Sequence, residues 1–389
     1  MSCTRIVQAR FSIFVLTIAL AAYPARAATE NVILAFIENN GVSPTGTNPV
    51  TGLISDSAGN LYGTTNSGVV YELSPSGGGG WNETILHTFA GSPDGQDPAG
   101  ALVMDTARNL YGSTFKGGTY GKGILYELSP AGTGWTETIL YNFADKKGGE
   151  YPDGAMLMDH AGNFYLITGA TVIEVSPAEG GYTSRKIYRG YPEDNIGGMT
   201  MDASGNIFAV SETSVLEITQ NHKGGWSTRV LHEFAGSPND GSSGWGNPTF
   251  DAAGNLYGTT QGGGATGGGT VFELTPGKHG KWSETILYSF SAEPYPSSGI
   301  VFDAAGNAYG DTMFGGNSAS GSVFELTAPV QKGNYKLLWS FNGSDGDLPT
   351  GSPVLDKAGN LYGATFAGGP QQPDCSGENG CGVIYQIIP

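Results

Sequence analysis

The sequence predicts an all-β fold, a seven-bladed β-propeller with four antiparallel strands in each blade. Three observations support this prediction. A turn of the form D-x-x-G-N recurs seven times, four short strand-forming runs accompany the turns, and the two ends of the chain each carry part of one repeat. Repeats of about 50 residues built from several short strands are typical of propeller blades.

The recurring turn begins at an aspartate, and successive aspartates are 49, 54, 43, 49, 52 and 53 residues apart. The seven copies begin at Asp56, Asp105, Asp159, Asp202, Asp251, Asp303 and Asp356. Aspartate can accept hydrogen bonds from the free amides of a turn, and the glycine can adopt a left-handed conformation. Arg108 replaces this glycine in the second copy, which predicts strain or another turn type. Calcium at each turn is disfavoured, because one carboxylate supplies too few ligands.

The strand-forming runs are clearest in the fifth copy, where they read NPTFD, NLYGTT, TVFELTP and WSETILYSF. β-Branched and aromatic residues dominate each run, and Gly, Pro, Asn or Ser bound it. A glutamate recurs within the third strand, and Gln386 takes its place in the last copy. The glutamates are Glu72, Glu127, Glu174, Glu217, Glu273 and Glu325. We interpret this position as a repeated structural hydrogen bond.

The two ends of the chain predict how the ring closes. The last copy stops after its third strand, GVIYQIIP, and the early segment ENVILAFI resembles the missing fourth strand. We therefore expect the N-terminal strand to complete the last blade. Closure of this kind removes the exposed sheet edges that favour aggregation.

The repeat also resembles a known family. The D-x-x-G-N-L-Y-G-T-T turn, the V-F-E-L-T-P strand and the W-x-E-T-x-L-Y-x-F strand are similar to the GloVer tandem repeat of exported bacterial proteins. The turn and its strand pair are also similar to those of NHL and gluconolactonase-like propellers. The resemblance implies export and a repeat fold, and it implies no established activity.

Residues 1–27 have the layout of a secretory signal peptide, which leaves 28–389 as the propeller. Arg5 and Arg10 precede an apolar run over 11–22, and Ala25-Arg26-Ala27 provides a small-x-small cleavage pattern. We therefore expect secretion to the periplasm or the medium. Loss of the three arginines of this segment would change the net charge from −17 to −20. Such an acidic protein is a poor binder of nucleic acid or membrane surfaces, and we expect a monomer that binds carbohydrate or protein.

Two cysteines remain after the signal peptide, Cys375 and Cys381. An even pair in an exported chain favours a disulfide that staples a short loop. No cofactor is predicted, and calcium is the one ion left open, with Asp345 and Asp347 as its candidate ligands. Ordinary D-G turns are the alternative explanation for these two acids and for the other acids between blades, Asp94, Asp97, Asp153 and Asp240.

Candidate binding residues lie in the loops that vary between repeats, since function is usually carried by variable loops on a rigid scaffold. Copies two, five, six and seven have long Gly-rich loops between their second and third strands. Phe115, Phe314 and Phe366 begin three of these loops, and Trp245 is expected in a loop between blades. These side chains could stack on sugar rings, and packing over the seams between blades is the alternative.

Candidate catalytic residues are Asp311 and Glu212, acids placed just after the second strand where other copies mostly have Thr or a small residue. A pair of carboxylates there could perform general acid–base chemistry, and two solvated loop acids are the alternative. His87 and His232 occupy positions where other copies have tyrosine, so we interpret them as packing residues. The sequence thus leaves three functions open. The first is a non-catalytic propeller that binds carbohydrate or protein, and the second is an extracellular lyase, lactonase or glycan hydrolase. The third is a structural exoprotein with no small-molecule site.

Overall fold

The computed structural model describes residues 27–37, 46–144, 149–291, 294–370, 375 and 380–389. The predicted signal peptide, apart from Ala27, lies outside these residues. The chain forms seven four-stranded antiparallel sheets arranged as the blades of a propeller, which confirms the predicted fold. Among the described residues, no helix has the length and apolar composition needed to cross a bilayer.

Each blade contains four strands that are consecutive in the sequence, except in the last blade. Blade 1 comprises β2 (Ile54–Ser55), β3 (Leu61–Thr64), β4 (Val69–Pro75) and β5 (Trp81–Thr88). Blade 2 comprises β6 (Gly95–Met104), β7 (Leu110–Gly117), β8 (Ile124–Ala131) and β9 (Gly134–Asn142). Blade 3 comprises β10 (Met156–Met158), β11 (Phe164–Thr168), β12 (Thr171–Ala178) and β13 (Gly181–Arg189). Blade 4 comprises β14 (Ile196–Met201), β15 (Ile207–Ser211), β16 (Ser214–Gln220) and β17 (Trp226–Glu233). Blade 5 comprises β18 (Gly241–Phe250), β19 (Leu256–Gly263), β20 (Thr270–Pro276) and β21 (Trp282–Ser289). Blade 6 comprises β22 (Val301–Phe302), β23 (Ala308–Thr312), β24 (Ser322–Leu326) and β25 (Tyr335–Ser340). Blade 7 comprises β26 (Asp347–Leu355), β27 (Leu361–Ala367), β28 (Val383–Ile388) and β1 (Thr29–Ala35), and a 3₁₀ turn at Lys278–Gly280 joins β20 to β21.

Blade 7 is completed by the N-terminal strand, as the sequence predicts. Strand β1 pairs antiparallel with β28, with Thr29 opposite Ile388 and Ala35 opposite Val383. The two strands are more than 300 residues apart in sequence, so this pairing joins the ends of the described chain within one sheet.

The first strands of neighbouring blades meet backbone to backbone at the centre of the ring. A Cβ atom added to Gly100 would lie 2.1 Å from the carbonyl oxygen of Gly154, and one added to Gly351 would lie 2.1 Å from the amide nitrogen of Gly52. Gly100 and Gly351 also have positive φ angles of 74° and 68°, which favour glycine. Any larger residue at these two positions would force the inner strands apart.

The second and third strands of a blade carry paired side chains whose sizes compensate for one another. Gly63 lies opposite Tyr71, and a Cβ atom on Gly63 would lie 2.3 Å from the tyrosine hydroxyl oxygen. In blade 3 the same positions carry Leu166 in place of the glycine and Ile173 in place of the tyrosine. Protein interiors are close-packed, so a gain in volume on one strand is matched by a loss on its neighbour.

The D-x-x-G-N turn forms the hydrogen bonds that its sequence predicts. In blade 6, Asp303 accepts hydrogen bonds from the amides of Ala305 and Asn307 at 2.9 Å each, from Asn307 Nδ2 at 2.8 Å and from the Tyr309 hydroxyl at 3.0 Å. Gly306 has a φ of 84°. The other six turns repeat the two backbone bonds and the Asn bond. The aspartates are therefore structural.

Arg108 adopts the same left-handed conformation as the glycines it replaces, with a φ of 70°. This confirms the first alternative, backbone strain in an unchanged turn type. The guanidinium group reaches blade 1, where Nη2 lies 2.9 Å from Asp56 Oδ2 and donates to the Tyr62 hydroxyl at 2.7 Å. The side chain thus joins two blades at the place where the backbone is strained.

The recurring third-strand glutamate makes hydrogen bonds, as predicted. The Tyr257 hydroxyl donates to Glu273 at 3.1 Å, and Arg185 forms an ion pair with Glu174. In the last copy, Gln386 Nε2 donates to the Tyr362 hydroxyl at 2.8 Å. The predicted disulfide joins Cys375 to Cys381, whose Cα atoms are 5.3 Å apart.

Candidate functional site

The ring has two faces that differ in their regularity. The turn face carries the D-x-x-G-N turns and the connections between third and fourth strands. The loop face carries the connections between second and third strands and those between blades. Because neighbouring strands are antiparallel, successive connections alternate between the two faces, and each kind of connection lies on one face only.

Four of the five exposed aromatic side chains among the described residues lie in connections of the loop face. They are Tyr120, Tyr191, Tyr295 and Phe314, and the fifth, Trp245, lies in the first strand of blade 5. The exposed large aliphatic residues instead lie on the outermost strands, at Val32, Ile85, Ile139, Val230 and Leu337. The exposed aliphatic residues thus lie at the outer edges of the blades, and none of the exposed aromatic residues of the described chain lies there.

Trp245 lies within strand β18, opposite Thr259 of β19, so its expected placement in a loop between blades is wrong. The reason is that β18 already begins at Gly241, which pairs with Gly263 in the long extension of β19. The indole is 37% exposed, and it lies against the inner strand of blade 4, where a Cβ atom on Gly197 would approach Trp245 Cε3 to 3.2 Å.

Phe314 forms an aromatic pair with Tyr295, with ring centroids 5.7 Å apart. Two backbone hydrogen bonds join their loops, from the Phe314 amide to the Pro294 carbonyl and from the Met313 amide to the Tyr295 carbonyl, both at 3.0 Å. Phe314 is 38% exposed. The pair is thus held by the backbone and still presents a ring to solvent.

Phe115 and Phe366 are half-buried on the loop face. The Phe115 ring lies 5.1 Å from that of Tyr151, between centroids, which agrees with packing over the seam between blades 2 and 3. The Phe366 carbonyl accepts a hydrogen bond from Asn48 Nδ2 at 2.9 Å. Of the four aromatic residues singled out in the sequence, Trp245 and Phe314 are the exposed ones.

Asp311 lies inside strand β23 opposite Val323 and is 1% exposed, so its expected position just after the second strand is wrong. Its amide donates to Ser298 Oγ at 2.9 Å. Neither carboxyl oxygen has a hydrogen-bond partner among the described residues. Burial raises the pKa of Asp311 to about 8, although the nearby Ser298 hydroxyl acts in the opposite direction. A negative charge on Asp311 would also raise the pKa of Tyr385, which burial already raises.

Glu212 lies at the β15–β16 connection of blade 4 and is partly exposed. Its Oε1 accepts a hydrogen bond from Asn195 Nδ2 at 2.9 Å. Blade 5 separates it from Asp311 in blade 6. The two acids therefore belong to separate environments, one inside a sheet and one at a loop, and only Glu212 has the character of a solvated loop acid.

Asp345, a candidate calcium ligand, is engaged in its own turn. It accepts hydrogen bonds from the Asn342 amide at 2.8 Å, from Asn342 Nδ2 at 2.9 Å and from Trp339 Nε1 at 3.2 Å. Asp347 is buried at the start of β26. These contacts agree with the D-G turn interpretation.

The model of the Gloeobacter/Verrucomicrobia repeat matches residues 22–217 and 170–374. The chain belongs to this repeat family. No curated protein matches it in sequence. Among solved structures, a streptogramin B lyase is 14% identical with a TM-score of 0.57, over 93% of this chain and 97% of that one. The virginiamycin B lyase of Staphylococcus aureus is 12% identical with a TM-score of 0.58, over 92% and 98%.

A third similar structure is the extracellular domain of a protein described as a one-component system from B. thetaiotaomicron. It is 12% identical with a TM-score of 0.60, over 91% of this chain and 39% of that one. At these identities the likenesses establish the propeller fold of this Gloeobacter/Verrucomicrobia repeat protein, and functions hosted on one propeller do not transfer to another.

A groove with a volume of about 730 Å³ lies on the turn face between blades 7 and 1. Trp81, Tyr362, Pro75 and Lys357 line it. The Trp81 and Tyr362 rings meet edge to face at 5.6 Å between centroids. Blades 3 and 4 repeat this pair as Tyr165 and Trp226, at 5.8 Å. Because the tryptophan recurs in the repeat, we assign the groove walls to the architecture.

His87 and His232 pack as the sequence suggests, edge to face against Phe89 at 4.6 Å and Phe234 at 5.4 Å between centroids. Each ring also faces carboxylates from its own blade connection and from the next blade. Sequence reasoning missed these contacts. The signal that could have revealed them is the shared pattern H-x-F-A-G-S-P followed closely by D-G, present in these two copies.

Proposed function

We propose that this protein is an exported, non-catalytic propeller that binds carbohydrate through its loop face. The observation that supports the proposal is that four of the five exposed aromatic side chains of the described residues lie in connections of that face, and the fifth, Trp245, is exposed on the first strand of blade 5. Large aromatic surfaces combine apolar contact area with little conformational entropy to lose, which suits the weakly polar faces of sugar rings.

The arrangement of two aromatic positions supports this proposal. Trp245 emerges from a strand, and Phe314 is braced by Tyr295 and by two backbone hydrogen bonds. Binding to such surfaces costs little ordering of the protein. The net charge of −17 disfavours acidic polysaccharides, so neutral or amino sugars are the expected ligands.

A glycan array probed with the purified protein, with and without calcium, tests the proposal. We expect binding to neutral or amino glycans, and a loss of at least about tenfold in affinity for Trp245→Ala or Phe314→Ala. Val230→Ala is the matched control, because Val230 is an exposed apolar residue on an outermost strand. Unchanged binding in both aromatic variants, or equal loss in the control, would contradict the proposal.

Catalysis by Asp311 as a general acid is the second candidate, for a lyase, lactonase or glycan hydrolase. It is favoured by the raised pKa of Asp311, about 8, which keeps the carboxyl protonated at neutral pH. Its 1% exposure stands against direct contact with a substrate. Turnover of a glycan that is abolished by Asp311→Asn while binding persists would favour this candidate over pure binding.

A further inference from the structure

Two seams of the propeller carry the same set of three side chains, which we call the junction sets. The first consists of His87, Asp94 and Glu137, and the second of His232, Asp240 and Glu284. In each, the histidine comes from a fourth strand, the aspartate from the following connection, and the glutamate from the fourth strand of the next blade. The histidines share one register position, opposite Val70 and Val215, and so do the glutamates, opposite Leu128 and Leu274.

The ligand atoms of each junction set are spaced as a metal ion requires. His87 Nε2 lies 3.4 Å from Asp94 Oδ2 and 3.8 Å from Glu137 Oε2. In the second set, His232 Nε2 lies 3.1 Å from Asp240 Oδ2 and 3.4 Å from Glu284 Oε1. Zinc bonds of about 2.1 Å in tetrahedral geometry place neighbouring ligand atoms about 3.4 Å apart.

The aspartates of the junction sets are fixed by the backbone. Asp240 accepts hydrogen bonds from the amides of Ala235 at 2.7 Å and Gly241 at 2.6 Å, and Asp94 accepts the equivalent bonds from Ala90 and Gly95. Phe89 and Phe234 hold the two imidazole rings from the side. Ligands oriented by their surroundings in this way need little rearrangement to bind a metal.

Buried polar atoms in both sets also lack the partners that burial normally demands. His87 Nε2, Glu137 Oε1 and Glu284 Oε1 are inaccessible to solvent and have no hydrogen-bond partner among the described residues. The two carboxylates of each set would supply the negative charge that one divalent cation neutralises.

The geometry points to two equivalent structural metal sites, one in the seam between blades 1 and 2 and one in the seam between blades 4 and 5. Each supplies one imidazole nitrogen and two carboxylate oxygens and leaves a position for water. An imidazole ligand favours zinc or a similar transition-metal ion over calcium or magnesium. The ion would clamp neighbouring blades through residues that lie 50 positions apart in one set and 52 in the other.

Zinc content after dialysis tests the assignment, with untagged protein first stripped by a chelator and then equilibrated with zinc. We expect two zinc ions per chain, and one in either His87→Phe or His232→Phe. Blades 2, 3 and 5 carry tyrosine at this position, so phenylalanine preserves the packing. Tyr141→Phe is the control, because it only removes a hydroxyl that pairs with Ser184 Oγ at 2.8 Å, and it should keep both ions.

Unfolding in urea provides a second readout that separates metal binding from packing. Zinc is expected to raise the midpoint of the wild type, less in each single variant, and not in the double variant. In the presence of chelator, the unfolding midpoints should be similar for the wild type, His87→Phe, His232→Phe and the variant that carries both substitutions. Zinc content that the two histidine substitutions leave unchanged, or a zinc effect that persists in the double variant, would overturn the proposal.

A third seam allows the proposal to be tested by creating a new zinc site. Between blades 6 and 7, Trp339 occupies the histidine register position, opposite Val323, and its Nε1 already contacts Asp345. Glu30 lies in the glutamate position, and its Oε1 is buried without a partner among the described residues. Trp339→His should raise the zinc content to three. A folded variant that still binds two zinc ions would show that a histidine, an aspartate and a glutamate at these positions do not form a metal site.

Discussion

The turn face and the loop face are built by the same blades, yet they differ in what repeats. Every turn carries an aspartate that accepts hydrogen bonds from two backbone amides and an asparagine. The connections of the loop face instead vary in length, and they carry four of the five exposed aromatic residues of the described chain. The comparison teaches that repetition marks the positions required for folding, and departure from repetition marks positions free to acquire a function.

The largest expected effect comes from breaking one turn. Asp303→Ala should lower the free energy of unfolding by about 2 kcal/mol or more, because it removes charge-assisted hydrogen bonds to Ala305, Asn307 and Tyr309. Asp303→Asn keeps an acceptor oxygen and should lose less. Urea denaturation measures both, and glycan binding should be unchanged. A loss of binding in a folded Asp303→Ala protein would break the separation of the two faces.

The same turn predicts a response to acid. Burial alone would raise the pKa of Asp303, but hydrogen bonds from Asn307, Tyr309 and Ala305 outweigh it and hold the pKa below its usual value of 3.8. Its stabilising contribution is therefore present above pH 3.8 and is lost as the pH falls through the lower folded-state pKa. Wild-type stability should decline in that acid range, and Asp303→Ala should decline less steeply.

The next effect concerns Asp311, where the repeat departs from its pattern inside a sheet. The folded chain keeps its proton up to about pH 8, whereas the unfolded chain releases it near 3.8. Stability is therefore expected to fall as the pH rises between these values and then to level off. Asp311→Asn should flatten this decline and be more stable than the wild type at pH 9. The comparison at pH 4, where both side chains are uncharged in the folded chain, serves as the control.

The smallest effect is expected at Arg108, the one irregular turn. Arg108→Gly relieves the left-handed backbone but loses the contacts with Asp56 and Tyr62, so its stability should lie within about 1 kcal/mol of the wild type. Arg108→Ala loses the contacts and keeps the strain, so it should be less stable than Arg108→Gly by about 1 kcal/mol. Equal midpoints for the two variants in urea would show that the turn is unstrained.

The sequence predicts most of the fold because its signals are local. A turn such as Asp303 to Asn307 closes over five residues, and strand composition on either side of it indicates its pairing partner. The pairing of β1 with β28 is long-range, but it could be predicted because each end of the chain carries an incomplete copy of a repeat seen six times elsewhere.

Side-chain environments at the site were less predictable. Asp311 reads as a loop acid by its distance from the turn, but β23 and β24 extend past it and bury it. The sequence predicts a loop at Trp245 because its surroundings are rich in Gly and Ser. Pairing with strand β19 nevertheless makes it part of the sheet. Both errors concern where a strand ends, which the neighbouring strand decides.

The sequence by itself determined the seven blades, their order and the hydrogen-bonded turns, because each of these depends on contacts within one repeat. Only the tertiary structure decided which residues meet across the seams, such as Glu137 beside His87 or Arg108 beside Asp56. Those pairs lie about one repeat apart, and their approach is set by how one twisted sheet packs on the next.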